Sequence, residues 1–219
     1  MISFLRAPHP PKTNQASTDF TVYENGASSV QYHPKGSKHT MTHTLPPRLP
    51  DEQEPSIIQP PFHYHIYQKE TFHAIQGTAN LFFGLDPLPH AVLKASGPKT
   101  TVTLPPKRYH RFENASATEE LKINISLDPE DYENESRFFR NFFGYLNDCK
   151  RAKQAPSIFQ LFVFLWSIDV PLAIPMPFGL ETLGVYVSWA VMLLVAWVGH
   201  YGLGYKTTYP EYFEEKKGR

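Results

Sequence analysis

The sequence predicts an all-β, antiparallel jelly-roll barrel, followed by an amphipathic helix and a C-terminal transmembrane helical hairpin. Three observations carry that reading. Short apolar runs separated by turn residues follow one another from Phe20 to about residue 131, with no helical pattern between them. The period then changes from two to between three and four over Glu133 to Arg151. Beyond Lys153 the composition turns sharply apolar.

Residues 1–19 are polar and proline-rich and read as an irregular arm without the apolar core of a signal peptide. The barrel is expected over residues 20–131. Its strand candidates begin with Phe20 to Tyr23, Ser29 to His33 and Thr40 to Leu45, joined by turns at Asn25-Gly26 and Pro34-Lys35-Gly36. Pro46 to Pro55, with Asp51, Glu52 and Glu54, is a solvated connector. Ile57 to Tyr67, Thr71 to Ile75, Ala79 to Phe83 and Thr100 to Leu104 continue the series. Leu121, Ile123, Ile125 and Leu127 alternate with Lys122, Asn124 and Ser126, the pattern of a strand with one buried face. The 21 prolines, often paired, suit short elements with rigid bends better than helices.

Residues 132–156 are an amphipathic helix and linker, its aromatic stripe expected on the outside of the barrel. Residues 157–203 form the hydrophobic region, read as two spans, 157–174 and 183–203. Leu183 to Leu203 lacks Asp, Glu, Lys and Arg and is long enough to cross a bilayer core of about 30 Å. Asp169 and Pro171 weaken the first span. Residues 204–219 are a polar tail. Basic residues before the hairpin (Lys150, Arg151, Lys153) and after it (Lys206, Lys216, Lys217, Arg219) place both ends in the cytosol. A chain ending near Lys153 is therefore expected to be soluble. The lone cysteine, Cys149, excludes an intrachain disulfide and suits a reducing compartment. On that side of the membrane the sequons at Asn114, Asn124 and Asn134 stay unused. A net charge of zero excludes a broad basic field for nucleic acid.

The chemistry concentrates in Pro60-Pro61-Phe62-His63-Tyr64-His65-Ile66-Tyr67-Gln68-Lys69-Glu70. Two residues apart on a strand, His63 and His65 share a face, and Phe62, Tyr64 and Ile66 line the other. Glu70 follows a short bend that can bring its carboxylate beside the imidazoles. A fourth ligand, His110, lies about forty residues on, followed by Asn114. Imidazole and carboxylate together suit a first-row divalent metal. The other histidines read as ordinary: His9, His33, His39 and His43 in a polar N-terminal region, His90 in a loop, His200 in the apolar segment, and His73 facing away from the ligands. No serine–histidine–aspartate arrangement, phosphate loop or dinucleotide fingerprint offers a rival chemistry.

These segments resemble the cupin family over roughly residues 20–130. His63, His65, Glu70 and Gly77 match its first motif, and Pro105, His110 and Asn114 its second. Lys107 replaces the second motif's central glycine, and no glycine precedes His63 at the customary distance. The resemblance implies one divalent transition metal on His63, His65, Glu70 and His110, Fe2+ before Mn, Ni or Zn. The Pro-Pro-Phe-His-Tyr-His stretch with an apolar C-terminal region is also similar to a group of fungal cupin-domain oxidoreductases of polyketide pathways, including those of salicylaldehyde-type compounds. That likeness implies an oxidoreductase acting on a lipophilic intermediate, at the endoplasmic reticulum or a related endomembrane. Partners would be a small lipophilic substrate, the membrane, a second copy in a homodimer and pathway enzymes. The alternatives are a non-redox isomerase or epimerase and a non-catalytic small-molecule-binding module.

Overall fold

The computed structural model describes residues 2–48 and 54–214. Asp51 and Glu52 of the connector and Lys216, Lys217 and Arg219 of the tail lie outside the described residues. Among the described residues nine strands form two antiparallel sheets: β1 (Phe20–Tyr23), β2 (Ser28–Tyr32), β3 (Met41–Leu45), β4 (Lys69–Gln76), β5 (Thr78–Phe83), β6 (Ala91–Lys94), β7 (Thr101–Leu104), β8 (His110–Asn114) and β9 (Leu121–Asp128). One sheet runs β1-β2-β3-β9-β4-β7 and the other β6-β5-β8. This is an antiparallel, jelly-roll-like arrangement of two sheets.

The alternation in the sequence decides which faces meet. On β9, Leu121, Ile123, Ile125 and Leu127 are buried while Lys122, Asn124 and Ser126 are half-buried on the other side. Leu121, Ile123 and Ile125 pack with Val30, Met41 and Phe72 of their own sheet and with Ala79, Leu81, Leu93 and Phe112 of the opposite one. Fully burying one such aliphatic side chain is worth about 1.5–3 kcal/mol, so this shared core holds the sheets together.

The segment read as a strand from Ile57 to Tyr67 forms no regular strand. Pro60 and Pro61 offer no amide donors, and ladder pairing is confined to two isolated bridges at His63, to His110 and to Leu172. The extended stretch nevertheless lies against β8, with reciprocal His63–His110 backbone hydrogen bonds of 3.1 and 2.9 Å.

Helix α1 (Tyr132–Arg151) does pack against the β-domain, but it is covered on both sides. Phe143 joins the core of the sheets, whereas Phe138, Tyr145 and Cys149 join a second core with the C-terminal elements. Residues 205–214, expected as the start of a polar tail, pack against the protein: Tyr205, Tyr209 and Tyr212 are buried there. Asp148 on α1 explains the attraction, since its carboxylate accepts from Tyr212 Oη (2.8 Å) and from the Thr13 amide (2.8 Å) and hydroxyl (2.6 Å). The N-terminal arm is thereby held against the same helix.

The apolar region departs most from the sequence reading. Only α2 (Ile158–Trp166) forms in its first half, and nine residues reach about 14 Å, half a bilayer core. Phe162, Val163, Phe164 and Leu165 are buried within the protein. At Asp169 the backbone turns left-handed (φ 55°). The chain then runs extended beside the histidine segment: the Tyr64 amide donates to the Pro171 carbonyl (3.2 Å), Ile66 to Asp169 (3.2 Å) and Ala173 to Phe62 (2.9 Å). The expected pair of spans is therefore absent. Among the described residues one helix, Glu181–Gly202, is long and apolar enough to cross a membrane; its first 17 residues are α3 (Glu181–Trp197) and its end is π-helical. A chain cut near Lys153 would lose the extended segment beside His63, so its expected solubility does not follow from this fold.

Candidate metal centre

Each ligand candidate is placed by a different constraint. β4 carries Glu70 inward with Phe72 and Ala74, and His73 of opposite parity points out, where its ring lies 5.8 Å from that of His39. β8 carries His110 from the other sheet. The extended Phe62–Ile66 stretch supplies His63 and His65. Lys107 adopts a left-handed backbone (φ 62°) where the resembled motif has glycine, and its amide donates to the His65 carbonyl at 2.8 Å. The turn is thus kept despite the substitution. Gly77 is also left-handed (φ 73°), and any Cβ there would strike the Glu120 carbonyl.

The four side chains converge. One ligand atom from each of His63, His65, Glu70 and His110 lies within 4.8 Å of all the others, and all four residues are buried. Glu70 Oε2 is 2.6 Å from His110 Nε2, 3.2 Å from His65 Nε2 and 4.0 Å from His63 Nε2.

The hydrogen bonds behind the cluster decide its protonation. His63 Nδ1 lies 2.9 Å from the Pro61 carbonyl, and His110 Nδ1 lies 2.7 Å from the Arg108 carbonyl. A carbonyl only accepts, so both Nδ1 atoms carry the proton, and a neutral ring then presents a bare Nε2. His110 Nε2 and Glu70 Oε2 would then be two acceptors in contact, which requires a cation between them. Neither ring nitrogen of His65 has a hydrogen-bond partner although both are buried. A proton satisfies one pair of these atoms, whereas a metal ion engages all four donors. The residues therefore fit a divalent metal.

The electrostatics agree. Burial, reinforced by the neighbouring His110, lowers the His63 imidazole to about 3 against the opposing pull of Glu70. Burial alone would raise the Glu70 carboxyl, but the neighbouring His65 and His110 imidazoles outweigh it and hold Glu70 well below the usual range. A neutral imidazole and an ionised carboxylate are the forms a metal binds.

Two features escaped the sequence reading. His43, grouped with a polar N-terminal region, is only 2% exposed and packs against Phe112, Phe139 and Phe143. Its Nδ1 has no hydrogen-bond partner. The inward parity of Met41, His43 and Leu45 was the signal available. Tyr64 and Tyr109 stack at 5.4 Å behind the cluster, and Tyr64 Oη donates to the Val185 carbonyl of α3 at 2.5 Å. Nothing in the local sequence links Tyr64 to a helix 120 residues away.

No protein-family model matches the chain. Among characterised proteins, the probable oxidoreductase virH of Hypocrea virens is 34% identical over 162 residues, covering 71% of this chain and 68% of the relative. The oxidoreductase iacF of Pestalotiopsis fici is 31% identical over 153 residues, covering 68% and 67%. The chain belongs to this family of fungal oxidoreductases. Its antiparallel sheets and its two histidine motifs give it cupin-type character. Among solved structures, the capsular polysaccharide assembling protein CapF of Staphylococcus aureus superposes with a TM-score of 0.37 at 15% identity, over 51% of this chain and 28% of that one. Hydroxypropylphosphonic acid epoxidase of S. wedmorenis gives 0.29 at 14% identity, over 46% and 43%.

Proposed function

We propose that this family member is a metal-dependent oxidoreductase whose single metal is held by His63, His65, Glu70 and His110. The observation that carries the reading is the convergence of four buried ligand atoms, three imidazole and one carboxylate, within 4.8 Å. Bound there, a divalent transition metal, Fe2+ before Mn, Ni or Zn, supplies Lewis acidity or a redox couple. The protein orients the rings through Pro61 and Arg108 and shields them from water with Phe72, whose ring centroid lies 6.1 Å from that of His110.

The substrate we propose is a lipophilic, polyketide-type intermediate of fungal secondary metabolism. The resemblance carried by Pro60 to His65 supports this class, and the oxidoreductase names of the relatives support redox chemistry over isomerisation. A lipophilic substrate also gives a reason for membrane association through α3. The proposed setting is an endomembrane such as the endoplasmic reticulum, with the β-domain in the cytosol. Pathway enzymes and a second copy of the chain are the proposed protein partners.

The test is elemental analysis of the purified full chain with oxygen uptake and metabolite profiles. We expect close to one metal per chain, loss of it in His65→Ala, and accumulation of an unoxidised intermediate when the gene is deleted. A folded His65→Ala protein that keeps its metal would sink the assignment. Zinc-only enzyme without oxygen uptake would favour the isomerase alternative.

A further inference from the structure

Helix α3 with its π-helical end is largely apolar, and it meets the rest of the protein along one side. Gly184, Ser188, Met192, Ala196 and Gly199 are the buried positions, spaced four, four, four and three residues apart, and they trace a single stripe. That stripe is docked from end to end. A Cβ on Gly184 would lie 2.6 Å from Tyr109 Oη, and one on Gly199 would lie 3.0 Å from Phe159 O and Val163 Cγ2. Between them, Ser188 Oγ accepts from the Ile174 amide at 2.9 Å and lies 3.2 Å from Tyr109 Oη.

The opposite face is exposed and apolar: Leu183, Tyr186, Trp189, Leu194 (66% exposed), Trp197 (61%) and Tyr201. From Thr182 to Tyr205 there is no Asp, Glu, Lys or Arg. The N-terminal turn adds to it. Ile2 donates its amide to the Gly202 carbonyl (2.8 Å), and Arg6 donates to the Gly204 carbonyl (3.0 Å) and lies over the Tyr205 ring. Those contacts fix exposed Ile2, Phe4 (82%) and Leu5 at the C-terminal end of the same helix.

We propose that the outward face of α3 and the N-terminal turn form one surface that lies in the interfacial plane of a phospholipid leaflet, without crossing it. A spanning helix must present its whole circumference to hydrocarbon or to apolar protein over about 30 Å. Here one side is committed throughout its length to a protein that carries polar sheets, so those sheets would have to enter the bilayer with it. Lying flat, the helix needs only one apolar face. Two tryptophans and two tyrosines on that face suit the headgroup boundary, where a ring is half wet. Exposed Arg6 and Lys206 flank one end, while Arg108 at the other is neutralised by Glu181 (3.4 Å). Anionic headgroups complement the positive charges of Arg6 and Lys206. The hydrogen bond from Tyr64 to Val185 then sets the histidine segment directly behind the lipid-facing helix. This refines the membrane association proposed above and does not depend on the metal.

The test uses the full chain with epitopes at both ends, expressed in cells, alongside Leu194→Glu, Trp197→Glu and Phe4→Ser. In sealed membranes both epitopes should be open to external protease. Purified protein should float with added phosphatidylcholine–phosphatidylserine vesicles, several-fold less with phosphatidylcholine alone. Leu194→Glu and Trp197→Glu should each lower binding at least tenfold and Phe4→Ser several-fold, with metal content and thermal midpoint unchanged. Protection of one epitope would show a crossing helix and overturn the proposal. So would wild-type protein that ignores vesicles and is a dimer in solution that Leu194→Glu splits, because the face would then belong to a second copy.

Discussion

Lys107 holds a backbone conformation that costs a residue with a Cβ about 1–2 kcal/mol, yet its amide must stay there to reach the His65 carbonyl. Lys107→Gly should therefore stabilise the protein by about 1 kcal/mol or slightly less, the flexibility gained by the unfolded chain offsetting part of the relief. Chemical denaturation at neutral pH checks this, with metal content expected to be unchanged. His43 supplies a second test. Burial lowers its imidazole to about 4, with Glu70 pulling the other way. An unfolded histidine takes up a proton near 6.5, so between about pH 6.5 and 4 the unfolded chain binds more protons and stability falls as pH falls. His43→Phe should remove roughly 3 kcal/mol of that acid loss by pH 4. Denaturation midpoints of both proteins across this range would show the difference, and parallel curves would contradict it.

At the scale of elements, the sheet bearing His110 does not end at β8. The histidine segment bridges to one side of it, and residues 169–173 hydrogen-bond to the segment in turn, so an apolar stretch that resembles a tether is an extended segment lying outermost beside that sheet. A full chain should fold and bind metal, whereas one cut after Lys153 should aggregate and lose metal, as light scattering and elemental analysis would reveal. α3 is keyed to the same place through Gly184. Gly184→Ala forces its new methyl against Tyr109 Oη and the Ile174 carbonyl, and such overpacking should cost about 1–3 kcal/mol. Thermal unfolding reads this directly; an unchanged midpoint would mean that the helix is not seated as described.

For the whole molecule, α1 is the shared wall. Phe139 and Phe142 pack against both the core between the sheets and the core of the C-terminal elements. Neither core can open without exposing the other's aromatic rings, so urea unfolding should be one transition by both fluorescence and circular dichroism. A metal bound only by the folded state adds stability by mass action, about 2.7 kcal/mol at a hundredfold excess over its dissociation constant. Removing it with a chelator should lower the midpoint in wild type and leave His65→Ala unmoved.

By itself the sequence determined what depends on short range. The alternation of Leu121 to Leu127 marks a one-sided strand because side chains on a strand change face at every residue. The aromatic spacing of α1 marks a helix for the corresponding reason. His63, His65, Glu70 and His110 were legible as one set because their residue types suit one metal and their motifs resemble a known pair. Tertiary structure alone decided the remainder. Hydropathy reports how apolar a stretch is, and the same reading fits a bilayer or a protein interior. Residues 157–174 went to the interior because the histidine segment offered unpaired backbone groups that only residues 169–173 satisfied. The tyrosines after Gly204 were buried for a similar reason: Asp148 and the aromatic rings of α1 lay waiting across a distance that no local pattern records.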